Sequence, residues 1–168
     1  MGMFQRALQE HDQTDARRKN VMLCRVPELE ETDANKRRQN DSKIVEEVFQ
    51  AIGAAGLNPS NIVRLGKFIP STEGQTTKQR PIKVTLNNYS EAKQVMDKCF
   101  KLKDAPDHLK SINLSYEATA AERNNIRDMV AEAKKKSENN PNLIFKVRGP
   151  PWNPVEKEFK KQVAENIE

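Results

Sequence analysis

The chain has 168 residues, with 29 Lys and Arg against 24 Asp and Glu, and a formal net charge of +5. This length suffices for one compact domain with an appended subdomain. The mean hydropathy of −0.86 and the absence of any apolar run near the ~18 residues of a membrane helix exclude a helical membrane anchor in this sequence. The excess of cations favours a polyanionic partner.

Residues 1–19 carry two apolar side chains at helical spacing, Phe4 and Leu8, within an otherwise polar segment. A coiled coil needs apolar positions repeated over several heptads, and two positions do not provide them. We therefore expect a helical or disordered N-terminal stub, the remnant of a coiled coil.

Residues 20–115 alternate between strand and helix patterns. The predicted order is strand 21–26, a helix whose N-cap is Asp41 or Ser42, strand 62–65, strand 82–86, a helix from Ser90, and strand 112–114. This order predicts an α+β fold, a ferredoxin-like (RRM-type) β-α-β-β-α-β domain. Strands 21–26 and 82–86 are expected at the centre of its four-stranded antiparallel sheet.

The strand at 82–86 alternates between apolar and polar side chains. Its period of two sends Ile82, Val84 and Leu86 to one face and leaves Lys83 and Thr85 on the other. RNA-recognition sheets usually carry aromatic rings on the outward face, and here that face offers a cation. The pattern predicts phosphate contact in place of base stacking.

Residues 116–168 predict a small α/β C-terminal domain. Thr119 and Glu122 have the spacing of a capping box, so a helix is expected there, with Ile126, Met129, Val130 and Ala133 on its packed apolar face. A short strand at 143–147 follows. Asn153 and the proline after it resemble a helix start, which predicts a final amphipathic helix along Val155, Phe159 and Val163.

Catalytic chemistry finds no support in the sequence. There is no Gly-rich phosphate loop or nucleophile elbow, and the two histidines lie in no recognisable arrangement. Cys24 and Cys99 are far apart and outside any zinc spacing, which favours half-buried structural thiols in a reducing compartment. The acidic run at 28–33 is interpreted as a solvated linker. We expect no enzyme activity, no cofactor and no metal.

Three basic groups are candidates for a nucleic-acid surface. On the sheet we expect Arg64 and Lys83 to point outward, with Arg25 at the strand edge. The loop after the second strand provides a clamp-like set: Lys67, Lys78 and Arg80. The C-terminal domain provides a helical stripe and a strand with a nearby ring, where Trp152 either stacks on bases or fills the subdomain core: Arg123, Arg127, Lys134, Lys146, Arg148 and Trp152.

Four segments carry a family resemblance. They are Arg-Lys-Asn-Val-Met-Leu-Cys-Arg-Val-Pro-Glu at 18–28, Ile-Val-Arg-Leu-Gly-Lys at 62–67, Arg-Pro-Ile-Lys-Val-Thr-Leu at 80–86, and Ile-Asn-Leu-Ser at 112–115 before the Thr-x-x-Glu helix. In this order they resemble the protein encoded by the first open reading frame of LINE-family non-LTR retrotransposons. The resemblance extends roughly over residues 18–160.

The resemblance implies a sequence-tolerant binder of single-stranded RNA and DNA. Such a protein coats its transcript and acts as a nucleic-acid chaperone in ribonucleoprotein particles of the cytoplasm or nucleus. Arg127 matches a family RNA-binding arginine, and Arg64 and Lys83 would line a cleft between the two domains. The family's long coiled coil is reduced here to the stub around Phe4, so a homo-oligomer is expected only where a full coiled coil precedes it.

One other function is compatible with the sequence. A protein-interaction module would use the ring-poor sheet and the C-terminal amphipathic helix to bind a protein partner. A nuclease is disfavoured, because no cluster of carboxylates or histidines suits metal-assisted phosphate chemistry. Retention of a random oligonucleotide on a filter distinguishes nucleic-acid binding from the protein-interaction module.

Overall fold

A computed structural model describes residues 2–70 and 79–161, except for the side chains of residues 7–14. The chain divides into two compact units, Met1–Glu117 and Ala118–Glu168. The elements of the N-terminal unit, in chain order, are α1 (Met3–Arg18), β1 (Asn20–Cys24), α2 (Ala34–Ala51), β2 (Asn61–Arg64), β3 (Ile82–Thr85), α3 (Tyr89–Lys98), a 3-10 helix (Cys99–Asp104), the short α4 (Asp107–Lys110) and β4 (Asn113–Tyr116). The N-terminal segment is therefore helical, and Phe4 on it is exposed.

The N-terminal unit is built on an antiparallel four-stranded sheet with the order β2-β3-β1-β4. The two strands predicted to be central, β1 and β3, are its inner pair, with Val21 opposite Val84 and Leu23 opposite Ile82. These four side chains are fully buried beside Leu86, which confirms the predicted alternation. Apolar side chains of the helices complete the core on this face, among them Val45, Val48, Phe49, Ala92 and Val95.

Helix α2 begins at Ala34, so the predicted N-cap at Asp41 or Ser42 was wrong. Asp33 is the N-cap, and its side chain accepts a hydrogen bond of 2.9 Å from the Asn35 backbone N–H. Asp41 lies within the helix and is buried. Asp is unfavourable in a helix interior by propensity. Here the Asp41 carboxylate forms an ion pair with Arg64 on β2.

The C-terminal unit contains α5 (Ala120–Glu138) and a hairpin of β5 (Leu143–Arg148) and β6 (Val155–Lys160) that packs on it. The predicted cap is confirmed, since Thr119 Oγ1 accepts a hydrogen bond of 3.1 Å from the Glu122 N–H. Ala133 is buried, but Val130 is half exposed, so its predicted place in the packed face was wrong. A two-stranded hairpin covers only part of a 19-residue helix.

The predicted final helix was also wrong, because Val155–Lys160 is a strand. Asn153 does not cap a helix. Its N–H donates to the Pro150 carbonyl at 2.9 Å and closes a turn. Gly149 makes that turn possible, since it has a φ of +95° and a Cβ there would lie 2.8 Å from the Asn153 carbonyl oxygen. The apolar spacing of Val155 and Phe159 fits both periods, and pairing with β5 selects the strand; Val163 lies outside the described residues.

Candidate nucleic-acid interface

The open face of the sheet carries Lys83 as predicted, but this cation has an acidic neighbour. Lys83 Nζ lies 3.9 Å from a carboxylate oxygen of Glu117. Glu117 also accepts a hydrogen bond of 2.6 Å from Asn20 Nδ2, which holds the carboxylate over the sheet. Asn20 and Met22 on this face are themselves buried. The sheet face is thus nearly neutral around Lys83, and its attraction for phosphate is reduced.

Arg64 does not point outward, and that prediction was wrong. Its side chain is 3% exposed and forms a bidentate pair with Asp41, with Nε and Nη2 at 3.1 and 2.8 Å from the two carboxylate oxygens. The remaining N–H groups donate to the carbonyls of Val26, Pro27 and Arg80 at 2.7 to 3.1 Å. All five guanidinium donors are therefore used inside the protein, and none is available for a phosphate.

Arg80, which follows the predicted clamp-like loop, is engaged in a second ion pair. Both Arg80 Nε, at 3.1 Å, and Arg80 Nη2 donate to Glu28, and Arg80 Nη1 donates to the Gly66 carbonyl at 2.7 Å. Arg37 lies 3.8 Å from the same carboxylate and 3.8 Å from the centre of the Phe68 ring. Glu28 is therefore part of a network and not of a solvated linker. Lys67 is exposed, and Lys78 lies outside the described residues.

The charges around Glu28 govern its titration. Burial acts to raise the pKa of Glu28, but the Arg80 hydrogen bond and the charges of Arg64, Arg80 and Arg37 outweigh it and bring that pKa below its ordinary value. The pKa of Arg80 is raised in turn by its hydrogen bond to Glu28. Both groups are held in their charged forms by each other, so the Arg80 guanidinium is engaged within the protein.

Arg25 follows β1 and is exposed. Its φ of 61° lies in the left-handed region, which is uncommon for a residue with a side chain. Arg25 lies just after the end of β1, outside the sheet pairing. Arg25 remains accessible to a ligand.

The predicted stripe on α5 is on the surface. Arg123, Arg127 and Lys134 are all exposed. The Arg123 Nη1 donates to the Ala118 carbonyl at 2.7 Å, which leaves part of its guanidinium in solvent. Within the described part of the chain, Arg127 makes no ion pair. This stripe offers three accessible positive charges along the helix.

The hairpin separates its charges by face. Cross-strand partners share a face, and the register places Glu156 opposite Val147 and Glu158 opposite Phe145. Lys136 of α5 lies 2.8 Å from Glu156 and 5.8 Å from the Phe145 ring, so this face is the one towards α5. The acidic side chains of β6 are therefore on the helix side of the hairpin.

The other side, which we call the outer hairpin face, is basic and apolar. Lys146 lies opposite Lys157, and Phe159 lies opposite Ile144. The guanidinium carbon of Arg148 is 5.8 Å from the centre of the Phe159 ring, which is 41% exposed. The face consists of Ile144, Lys146, Arg148, Val155, Lys157 and Phe159. Three cations thus share this face with an accessible aromatic ring, and no residue of this face carries a negative charge.

Sequence reasoning found two of these cations and missed Lys157 and Phe159 as site residues. They were assigned to a helix, where they would not share a face with Lys146 and Arg148. The signal that was present is the alternation of charge from residue 156 to 159, Glu-Lys-Glu-Phe, which has the period of a strand. Trp152, in the turn beside this face, is half-buried and so is neither a sealed core residue nor a fully open ring.

Both cysteines are free and half-buried, as predicted, and burial raises the pKa of Cys99. Among residues 2–70 and 79–161, no group of three or more His, Cys, Asp or Glu side chains is placed to bind a metal ion. No helix in the same residues is both long and apolar enough to cross a bilayer. The chain matches no protein-family model and no curated protein.

Proposed function

We propose that the protein binds single-stranded RNA and DNA with little sequence preference and has no enzymatic activity. The observation that carries this proposal is the outer hairpin face, where Lys146, Arg148 and Lys157 share one surface with Phe159. Single-stranded nucleic acids are bound by positive surfaces that track the backbone and by aromatic rings that stack on bases. Both elements are present on one face of a short hairpin.

The exposed cations of α5 add a second basic surface to the C-terminal unit. Arg123, Arg127 and Lys134 lie on the helix, and the outer hairpin face points away from it. A strand of nucleic acid that contacts both groups would follow the unit around its surface. Such contacts are mainly to phosphates, which explains low sequence preference.

The N-terminal unit is proposed to be a ferredoxin-like domain of the RNA-recognition type. Its strand order β2-β3-β1-β4 supports this assignment. In this unit Arg64 has no free donor and Lys83 is close to Glu117, so we assign most of the binding energy to the C-terminal unit. The resemblance to LINE-family first-open-reading-frame proteins supports a chaperone role in a retrotransposon ribonucleoprotein particle, in the cytoplasm or nucleus.

The test is fluorescence anisotropy with random-sequence 30-nucleotide RNA and DNA strands over a series of salt concentrations. We expect log affinity to fall linearly with log salt, because bound phosphates release counterions. Arg148→Gln should reduce both the affinity and the salt slope, while Phe159→Ala should reduce the affinity by about 1–3 kcal/mol with the slope unchanged. An affinity that does not depend on salt would contradict the proposal.

A further inference from the structure

The edge strand β2 has backbone groups that face away from the sheet. Leu65 N–H donates to the Pro81 carbonyl at 2.9 Å. The odd-numbered residues of this strand therefore direct their backbone N–H and C=O groups towards β3. In an antiparallel ladder the alternate residues, Ile62 and Arg64, then direct their N–H and C=O groups outward. Among the described residues, no strand pairs with that side.

A groove runs beside this edge, between β2 and α2. Two cavities of about 320 and 300 Å³ lie along it, and Ile62 lines both. The helix contributes one continuous stripe to the two cavities, from Ala34 through Arg38 and Ser42 to Phe49, at helical spacing. The cavities are therefore two parts of a single groove that follows the edge strand.

The two ends of the groove differ in character. The end near Phe49 has a mixed lining, in which Val45 and Phe49 are buried and Ile62 is half-buried. Its polar lining residues are Ser42, Glu46, Gln50 and Asn58. The other end is lined by four arginines against two carboxylates, which leaves a surplus of two positive charges. Arg38 is exposed there, and within the described part of the chain its contact is a long one, 3.5 Å to Asn35 Oδ1.

We infer that this groove binds an extended peptide of another protein by strand addition to β2, with an aliphatic side chain towards Phe49 and an acidic side chain on Arg38. Strand addition uses main-chain hydrogen bonds for affinity and side-chain pockets for specificity. Arg64 points inward, a device that protects some sheet edges, but Asp41 neutralises its charge. The acidic residue is selected by charge complementarity with the surplus at that end.

The chemistry of the groove favours a peptide over a nucleic acid. The guanidinium of Arg64 is saturated and Arg80 is held by Glu28, so Arg38 is left to bind an anion, which suits one acidic side chain better than a run of phosphates. Outward N–H and C=O groups that pair with no strand among the described residues, beside the apolar side chains of the groove, instead match an extended polypeptide. This site is separate from the outer hairpin face, and failure of either proposal leaves the other standing.

The test begins with selection of random decapeptides displayed on phage against the full chain. The enriched peptide, labelled with fluorescein, is then titrated by anisotropy against the chain and three variants. Arg38→Glu reverses the charge at the basic end, and Ser42→Trp fills the groove. Lys43→Glu is the matched control, because Lys43 is exposed on α2 and does not line either cavity.

We expect enriched peptides with aliphatic and acidic residues, a loss of about fivefold or more for Arg38→Glu and Ser42→Trp, and no loss for Lys43→Glu. Amide resonances of Ile62 and Arg64 should shift on peptide addition. The inference is overturned if no peptide is enriched above uncoated beads, or if Arg38→Glu and Lys43→Glu weaken binding equally. It is also overturned if a 30-nucleotide oligo(dT) shifts these amides while the peptide does not.

Discussion

The opposed pair Lys146 and Lys157 gives a prediction in which affinity and stability change in opposite directions. These two cations are direct cross-strand partners, and both are exposed. Like charges in this arrangement destabilise a hairpin, while opposite charges stabilise it. Lys157→Glu should therefore stabilise the free C-terminal unit and weaken its binding to nucleic acid.

The sizes of the two effects follow from the register and the exposure. Because both side chains are in solvent, the gain in unfolding free energy should be small, about 0.5 kcal/mol. For single strands each neutralised phosphate contributes a slope of about −0.7 to the plot of log affinity against log salt. At 0.1 M salt, relative to 1 M, this slope corresponds to about fivefold in affinity per contact. Charge reversal removes one attraction and adds a repulsion of similar size, so it should weaken binding about 25-fold.

Lys160→Glu is the matched control. It makes the same change in net charge on the same strand, but Lys160 lies opposite Leu143, on the side of the hairpin towards α5. Affinity is measured by anisotropy with a labelled 30-nucleotide strand. Unfolding in urea is followed by the fluorescence of Trp152, the single tryptophan of the sequence, which lies in the hairpin turn.

Three results would refute this reasoning. Equal losses of affinity for Lys157→Glu and Lys160→Glu would mean that net charge, and not the outer hairpin face, determines binding. A lower urea midpoint for Lys157→Glu would mean that the two lysines do not repel each other across the strands. An unchanged salt slope would point to a surface other than this one.

Three further predictions concern stability. Arg64→Met should lower the unfolding free energy, measured in urea, by about 3–5 kcal/mol because it leaves Asp41 buried without its partner. The double variant Arg64→Met with Asp41→Leu should recover much of that loss, and equal stability of the single and double variants would contradict this. The pKa of Glu28 is lowered in the folded state, so its ion pair with Arg80 stabilises the fold above about pH 4.5, and this stabilisation is lost as the pH falls through the folded-state pKa. Glu28→Gln should therefore make the unfolding free energy depend less on pH in this range. Thr119→Ala should lower the unfolding free energy of the C-terminal unit by about 1 kcal/mol, while Thr119→Ser should retain most of the capping contribution. Tryptophan fluorescence measures both variants.

Local patterns predicted much of the N-terminal unit. The alternation in β3 assigned Ile82 and Val84 to the core and Lys83 to the other face, because a strand turns successive side chains to opposite sides wherever it lies. The helix cap at Thr119 in the C-terminal unit was equally local, since the Thr119 hydroxyl and the Glu122 N–H that donates to it are three residues apart. The start of α2 was less accessible, because Asp33 and Asp41 are equivalent as caps by residue type.

The availability of each cation was decided only by the tertiary structure. The sequence by itself determined where cations stand along a strand, but Arg64 meets Asp41 across 23 positions and Lys83 meets Glu117 across 34. The outer hairpin face likewise depends on the pairing of β5 with β6, which brings Lys157 and Phe159 beside Lys146 and Arg148. Side-chain charge is a property of the residue, whereas the partner that neutralises it, or the ring that joins it, comes from the approach of distant segments.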